Sequence, residues 1–318
     1  MMSASEVHLP GRPRDREGVK ALAVTAQRAF DTFRPGGVKV LAGSVIMEPT
    51  LEPEDFAELR DKGVWLAKVG FGDFNPQADA APLVRAAQEA GFVVMNHTGG
   101  ASIPDSSPVT VEDVLALGCD IIGHANGGTT AFADEDLPRL FEAPGVIQLV
   151  QAGNLRSSIE IIERAYDMDL IEKLVIATDT PTGTGVMPLG MIKTVCELSS
   201  LAGLRATDAL ALATGNNAAV LRRPEGIRAV ALVLKRPIPH TGRCLFYCPR
   251  GPIVTPGDTD SFTELVADIR AEARRRGAIA LQIDPAIKPS DGWYISCLRD
   301  LSFRDPGPMG DGFGGVQP

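Results

Sequence analysis

Apolar, β-branched runs recur along the first two-thirds of the chain at a nearly constant interval. They begin near Val38 (VKVLAG), Val64 (VWLAKVG), Phe92 (FVVMNH), Asp120 (DIIGHA), Val146 (VIQLVQAG) and Leu174 (LVIATD), about 25 to 28 residues apart. Between them lie stretches with helical amphipathic spacing, such as APLVRAAQEAG and SSIEIIERAYDMD. This alternation of strand, loop and helix predicts a parallel sheet with crossover helices, and its length favours a (βα)8 barrel over a doubly wound sheet. A helix over Gly18 to Phe33 needs a strand before it, and Met2 to Val7 is the candidate.

That makes seven strands by Asp179, followed by the helices MIKTVCELSSLAGL and ATDALALATGNNAAVL. A closed barrel of this type needs eight. Either the sheet is open or one βα unit is missing from the front, and a chain that begins inside a strand favours the second. Residues 1–222 are therefore expected to form an α/β domain, an incomplete TIM-like (βα)8 barrel lacking its first strand. A gap or strained closure is expected between the second and eighth strands of the full count, with a tendency to aggregate there.

After Leu221 the period stops. A strand-like AVALVL, a Pro-rich PIPHTG turn, a second strand CLFYCP, a loop, one helix TELVADIRAEARRRG and a strand AIALQIDP follow. Residues 223–318 thus read as a second, α+β domain. Their tail from Lys288 is rich in Gly, Pro and Asp, stops at GGVQP without a closing helix or strand, and reads as cut.

Charge and cysteines narrow the class. The chain has 318 residues and a formal net charge of −9, unevenly spread: residues 1–226 carry −11 and residues 227–318 carry +2. An acidic main body disfavours nucleic acid and anionic membrane as partners, and no apolar run reaches the length of a membrane span. The five cysteines, Cys119, Cys196, Cys244, Cys248 and Cys297, are odd in number and scattered in apolar surroundings, so they read as reduced core residues of a cytoplasmic protein. Cys244, Cys248 and His240 fall short of a four-ligand zinc site. Arg274 to Arg276 read as the exposed end of a helix.

Three apolar runs end on polar, metal-capable side chains and open into glycine-rich loops: FVVMNHTGG at His97, IIGHANGGTT at His124 and LVIATDTPTG at Asp179. Residues at the carboxyl ends of barrel strands converge on one mouth, where Lys68 of LAKVGFG joins them. Two imidazoles and a carboxylate make the N/O donor set that zinc favours, leaving room for an acidified water. A lysine beside a metal serves only if its charge is removed, for instance by carboxylation. The plainer alternatives are core histidines and a lysine paired with Asp179. The glycines of GGTT and TGTG read as turn formers, since neither has the nucleotide-binding GxxxxGK[ST] form.

The order Lys68, His97, His124, Asp179, with the segments EVHLPGRP, VMNHTGG, GHANGGTT, DTPTGTGVMPLG and ATGNNAAVL, resembles the amidohydrolase superfamily and within it the enamidase and cyclic-amidase branch. The resemblance covers residues 1 to about 222. It implies a divalent metal, zinc first with iron or manganese as alternatives, and a carboxylated Lys68 as bridge. His97 and His124 would bind one ion, and Asp179 would bind and act as general base. Metal-activated water would attack a small cyclic amide, and Asp179 would relay the proton to the leaving nitrogen. An enamide substrate would release an enamine that isomerises and hydrolyses to an aldehyde acid. By position, Asn126, Thr129, Asn154 and His8 are expected to contact substrate. A homo-oligomer is compatible with this reading.

The chain departs from that family in three respects. Its first-strand His-x-His pair and its small β-sandwich are absent here. The block KRPIPHTGRCLFYCPRGPIV with GAIALQIDP has no amidohydrolase character. Over about 228–318 it resembles part of a peptidoglycan interpeptide-bridge aminoacyltransferase, which implies a partial acetyltransferase-like domain. Two rival functions stand beside hydrolysis: a catalytically inactive fusion or truncated product, and an aminoacyltransferase with an accessory barrel.

Overall fold

The computed structural model describes residues 2–4, 11–32, 40–101, 107–127, 132–180, 187–222, 229–249, 251–285, 287 and 290–304. The chain divides into two compact units, Met1–Pro224 and Glu225–Pro318.

In the first unit β1 (Met2–Ala4) leads to α1 (Arg16–Asp31), which starts at Asp15, whose carboxylate accepts from Gly18 N at 2.9 Å. Then come β2 (Val40–Ala42), β3 (Ser44–Ile46), α2 (Pro53–Asp61), β4 (Leu66–Val69), α3 (Ala81–Glu89) and β5 (Val93–Asn96). The order continues with α4 (Val111–Leu117), β6 (Ile121–Ile122), β7 (Val146–Val150), α5 (Leu155–Asp167) and β8 (Leu174–Ala177). Three helices close the unit: α6 (Gly190–Leu201), α7 (Ala206–Ala213) and α8 (Gly215–Val220).

Strands β3 to β8 form one parallel sheet in chain order, and β1 pairs in parallel with β2. The run VLAGSVI is thus one strand broken at Gly43, whose φ is 93°. A Cβ there would lie 2.6 Å from Ala23 O and Gln27 Cβ of α1, so the break lets the helix press onto the backbone. Among the described residues no strand pairs with the outer edge of β8. The sheet is therefore a six-stranded parallel array consistent with a partial TIM-like barrel.

Two apolar layers flank the sheet. The larger packs alternate strand residues such as Ala67, Val69, Val94, Ile122, Ile147 and Ile176 against the helices. The smaller lies on the other face and consists of Leu66, Val93 and Ile121 with Met95 and Val146 against it. Side chains alternate across a strand, so each strand feeds both layers.

Helices α1 and α2 are joined by buried charge. Asp55 of α2 is 1% exposed and accepts from Lys20 at 3.0 Å and Arg16 at 3.0 Å. Lys20 also reaches Glu58 at 2.5 Å.

The second unit holds β9 (Ala229–Val230), β10 (Leu234–Pro237), β11 (Cys244–Pro249), β12 (Ile253–Val254), α9 (Thr259–Arg275), β13 (Ala278–Asp284) and α10 (Gly292–Asp300). Its main sheet has the order β10-β11-β13, antiparallel then parallel, and β9 pairs with β12. The expected strand AVALVL is in fact split between β9 and β10. The tail read as lacking a helix contains α10, whose Tyr294 and Cys297 are buried with Phe262, Val266 and Val254. Among the described residues no helix is long and apolar enough to cross a membrane.

Candidate active site

Lys68 and His97 stand in phase with the smaller apolar layer. Lys68 lies two residues beyond Leu66 on β4, and His97 two beyond Met95 and four beyond Val93 on β5, so both belong to the face that Leu66 and Val93 occupy. The register pairs Lys68 with Met95 across the β4–β5 ladder. Lys68 is 3% exposed, His97 3% and His124 8%. Apolar residues thus floor the inner face, and the polar centre sits at the carboxyl ends above them.

His97 and His124 touch. His97 Nδ1 lies 2.9 Å from His124 Nε2, with ring centroids 4.6 Å apart and planes at 64°. His97 Nε2 is fixed by Gly100 O at 2.9 Å. His124 has φ 39°, in the left-handed region, and its backbone is held from two sides. Gln148 of β7 accepts from His124 N at 3.2 Å, and Thr98 Oγ1 donates to Gly123 O at 2.9 Å while lying 3.4 Å from His124 Nδ1. Gly70 makes room for this pair, because a Cβ at that position would lie 2.5 Å from His97 Cβ. The Phe71 ring covers His97 at 4.9 Å between centroids and lies 5.4 Å from Lys68 Nζ, a cation–π contact.

A buried carboxylate that the sequence reading did not single out anchors the same loop. Glu48 is 1% exposed and accepts from Arg12 at 2.6 Å, from Arg14 at 3.0 Å and from Asp73 N at 2.9 Å. Arg12 also donates to Phe71 O at 3.0 Å. Glu48 ends the run SVIME as His97 ends FVVMNH, so the same signal, a polar residue closing an apolar strand, marked it. Thr98, next to His97, carried no comparable signal.

The remaining expected site residues fare differently. Asn126 is 1% exposed, but its amide is spent on the scaffold, donating to Val150 O at 2.9 Å and Ser158 Oγ at 2.7 Å and accepting from Val150 N at 2.8 Å. Asn154 caps α5, its Oδ1 accepting from Arg156 N at 2.9 Å. Asp179 stands exposed beyond the end of β8 with φ 54°. His8 and Thr129 lie outside the described residues. Among the described residues no three His, Cys, Asp or Glu side chains gather into a metal-sized set, so the two imidazoles are the donors the structure unites. Cys196, read as a core residue, is exposed, whereas the other four cysteines are buried. Burial drives the Cys119 thiol far above its usual range.

At the opposite end of the strands a cavity of about 470 Å³ opens between Asp120, Val146, Glu172 and Asn216. Arg222 closes one side of it, donating to Asp120 at 2.8 Å.

A parallel βα sheet with its polar centre at the carboxyl ends of the strands, built on a lysine and two contacting histidines, has the layout of an amidohydrolase barrel. No family model matches the chain. It is 40% identical over 231 residues to the enamidase of Eubacterium barkeri, covering 72% of this chain and 60% of that protein. The crystal structure of enamidase, described as a member of the amidohydrolase superfamily, superposes with a TM-score of 0.65 at 37% identity, covering 74% of this chain and 63% of that one. The chain is homologous to enamidase over 231 residues, and it spans less than two-thirds of that relative's length.

Proposed function

We propose that the first unit hydrolyses a C–N bond of a small cyclic amide or enamide, with a divalent ion held by His97 and His124. The single observation that carries this reading is the convergence of His97 Nδ1 and His124 Nε2 to 2.9 Å within an enamidase-like frame. Two nitrogens bound to one tetrahedral zinc at about 2.0–2.1 Å would stand about 3.3 Å apart, so the rings fit such an ion after opening by a few tenths of an ångström. The proton shared between them must leave for this to happen. Zinc suits the donor set, with iron or manganese as alternatives. Lys68, carboxylated, and Asp179 are the proposed additional donors.

When bound, the ion supplies Lewis acidity and a water acidic enough to be deprotonated near neutral pH. The residues of the chain do the rest. Asp179, exposed just beyond β8, is the proposed base, to accept the water's proton and return it to the leaving nitrogen. Phe71 and the apolar floor keep bulk water from the inner side of the histidines. Glu48, Arg12 and Arg14 hold the loop that carries Phe71.

For the second unit we propose part of an acetyltransferase-like domain, supported by a parallel β11–β13 pair bridged by the single helix α9. Five free cysteines support a reducing, cytoplasmic setting.

The test is purification in the presence of bicarbonate and zinc, followed by metal analysis and an assay on a cyclic enamide. Stoichiometric zinc with ring opening is the expected result. Zinc without turnover would favour the catalytically inactive product, and absence of zinc would overturn the reading.

A further inference from the structure

The twin asparagines of ATGNNAAV do something for β8 that no strand does among the described residues. On the β7 side, Ala177 O accepts from Gln151 N at 3.1 Å. In a parallel strand the N–H and C=O of one residue point to the same edge, and alternate residues serve opposite edges. Leu174 and Ile176 therefore turn their carbonyls outward, where the sheet ends. Such an edge exposes unpaired acceptors and invites pairing with another chain.

Both carbonyls are occupied. Asn216 Nδ2 donates to Leu174 O at 3.1 Å and to Glu172 O at 3.2 Å. Asn217 Nδ2 donates to Ile176 O at 2.9 Å and to Leu212 O at 2.9 Å. The second pair of bonds ties β8 to the end of α7, with α8 as the lever. Two side-chain amides thus stand in for the backbone donors of a neighbouring strand.

The two asparagines are not equivalent. Asn216 holds β8 at its beginning, five residues before Asp179. Asn217 holds it at Ile176, three residues before Asp179, and Asp179 is in the strained left-handed region with φ 54°. A residue in that conformation keeps its place only when the backbone before it is fixed.

We infer that Asn217 is a positioning residue for Asp179, acting through the Ile176 carbonyl, whereas Asn216 only stabilises the strand. The inference rests on the proposed role of Asp179 at the metal. An asparagine is needed in each position because only an amide of this length offers two donors to two carbonyls; aspartate has the same shape and offers none.

The experiment compares N217D with N216D in the full chain, which equalises the added charge and the lost donors. Two readouts are taken: cobalt(II) affinity with the visible absorption of the cobalt-loaded protein, and hydrogen exchange of a peptide spanning residues 174–180. N217D is expected to weaken cobalt binding about tenfold, the lower range for residues that orient metal ligands, and to alter the absorption. N216D is expected to match the wild type in both while melting at a similarly lowered temperature. Exchange at 174–180 is expected to rise more in N217D than in N216D. Equal cobalt affinity and spectrum in the two variants would overturn the inference. If the wild type takes up no cobalt, the metal reading fails, and exchange alone decides: equal rates at 174–180 would overturn the positioning role as well.

Discussion

His97 Nδ1 and His124 Nε2, from residues 27 apart in sequence, face each other at 2.9 Å across the carboxyl ends of adjacent strands. A neutral imidazole offers one donor and one acceptor, so this contact consumes one of each. His97 Nε2 is already engaged with Gly100 O. His97 is thus oriented from behind, as ligand histidines are, with its Nδ1 facing His124 Nε2. Replacing either residue by alanine is expected to weaken zinc binding by more than about 100-fold, beyond the range of residues that only orient a ligand. Competition with a chromophoric chelator measures it. Unchanged affinity in H97A would show that the pair is not a ligand set.

The junction of α1 and α2 predicts acid lability. Burial raises the Asp55 pKa, but the Glu52 backbone N–H, Lys20 and Arg16 together outweigh it, and the net shift is downward from the ordinary value of 3.8. A carboxyl whose folded pKa is depressed stabilises the fold above its unfolded pKa, and this contribution is lost as pH falls through the folded value. D55A takes one buried partner from the Lys20 ammonium, which keeps Glu17 and Glu58, and a loss of about 1–3 kcal/mol at pH 7 is expected. Urea melts at pH 7 and pH 3 check both points. The difference between wild type and D55N should shrink at pH 3, and a constant difference would refute the assignment.

The strand period and the helix between β1 and β2 were legible because each rests on local patterning. VIQLV became β7, CLFYCP became β11 and LVIA became β8 with little displacement. His97 and His124 were legible because a polar residue closing an apolar run has few reasons to be there. Other features depended on partners distant in sequence. Glu48 meets arginines 34 and 36 residues away, and no periodicity reports that. The amides of Asn126, Asn216 and Asn217 bond backbone carbonyls of strands, so their residue type alone could not separate scaffold from substrate contact. The helix α10 was hidden because its flanks are rich in Gly, Pro and Asp, while its apolar face needs α9 to be recognised.

Thiol reactivity should follow burial. Cys196 is exposed on α6, whereas Cys119, Cys244, Cys248 and Cys297 are buried, and desolvation raises the Cys119 and Cys248 thiols. Because the thiolate is the reactive form, one thiol per chain is expected to react with a disulfide reagent in native buffer within minutes. The other four should react only on unfolding. Loss of the fast phase in C196S identifies it, and a fast phase that persists would place it elsewhere.

Asn126 separates a scaffold role from a substrate contact. Its amide joins the end of β6 to Val150 of β7 and to Ser158 of α5. In N126A, Val150 N loses its acceptor in the interior, and a buried polar group without a partner costs about 1–3 kcal/mol. With the Ser158 bond also gone, a destabilisation of about 3 kcal/mol is expected in a urea melt. The backbone of His124 depends on Gln148 and Thr98, not on this amide, so zinc affinity should stay near the wild-type value. The opposite outcome, unchanged stability with a raised KM, would return Asn126 to the substrate side of the site.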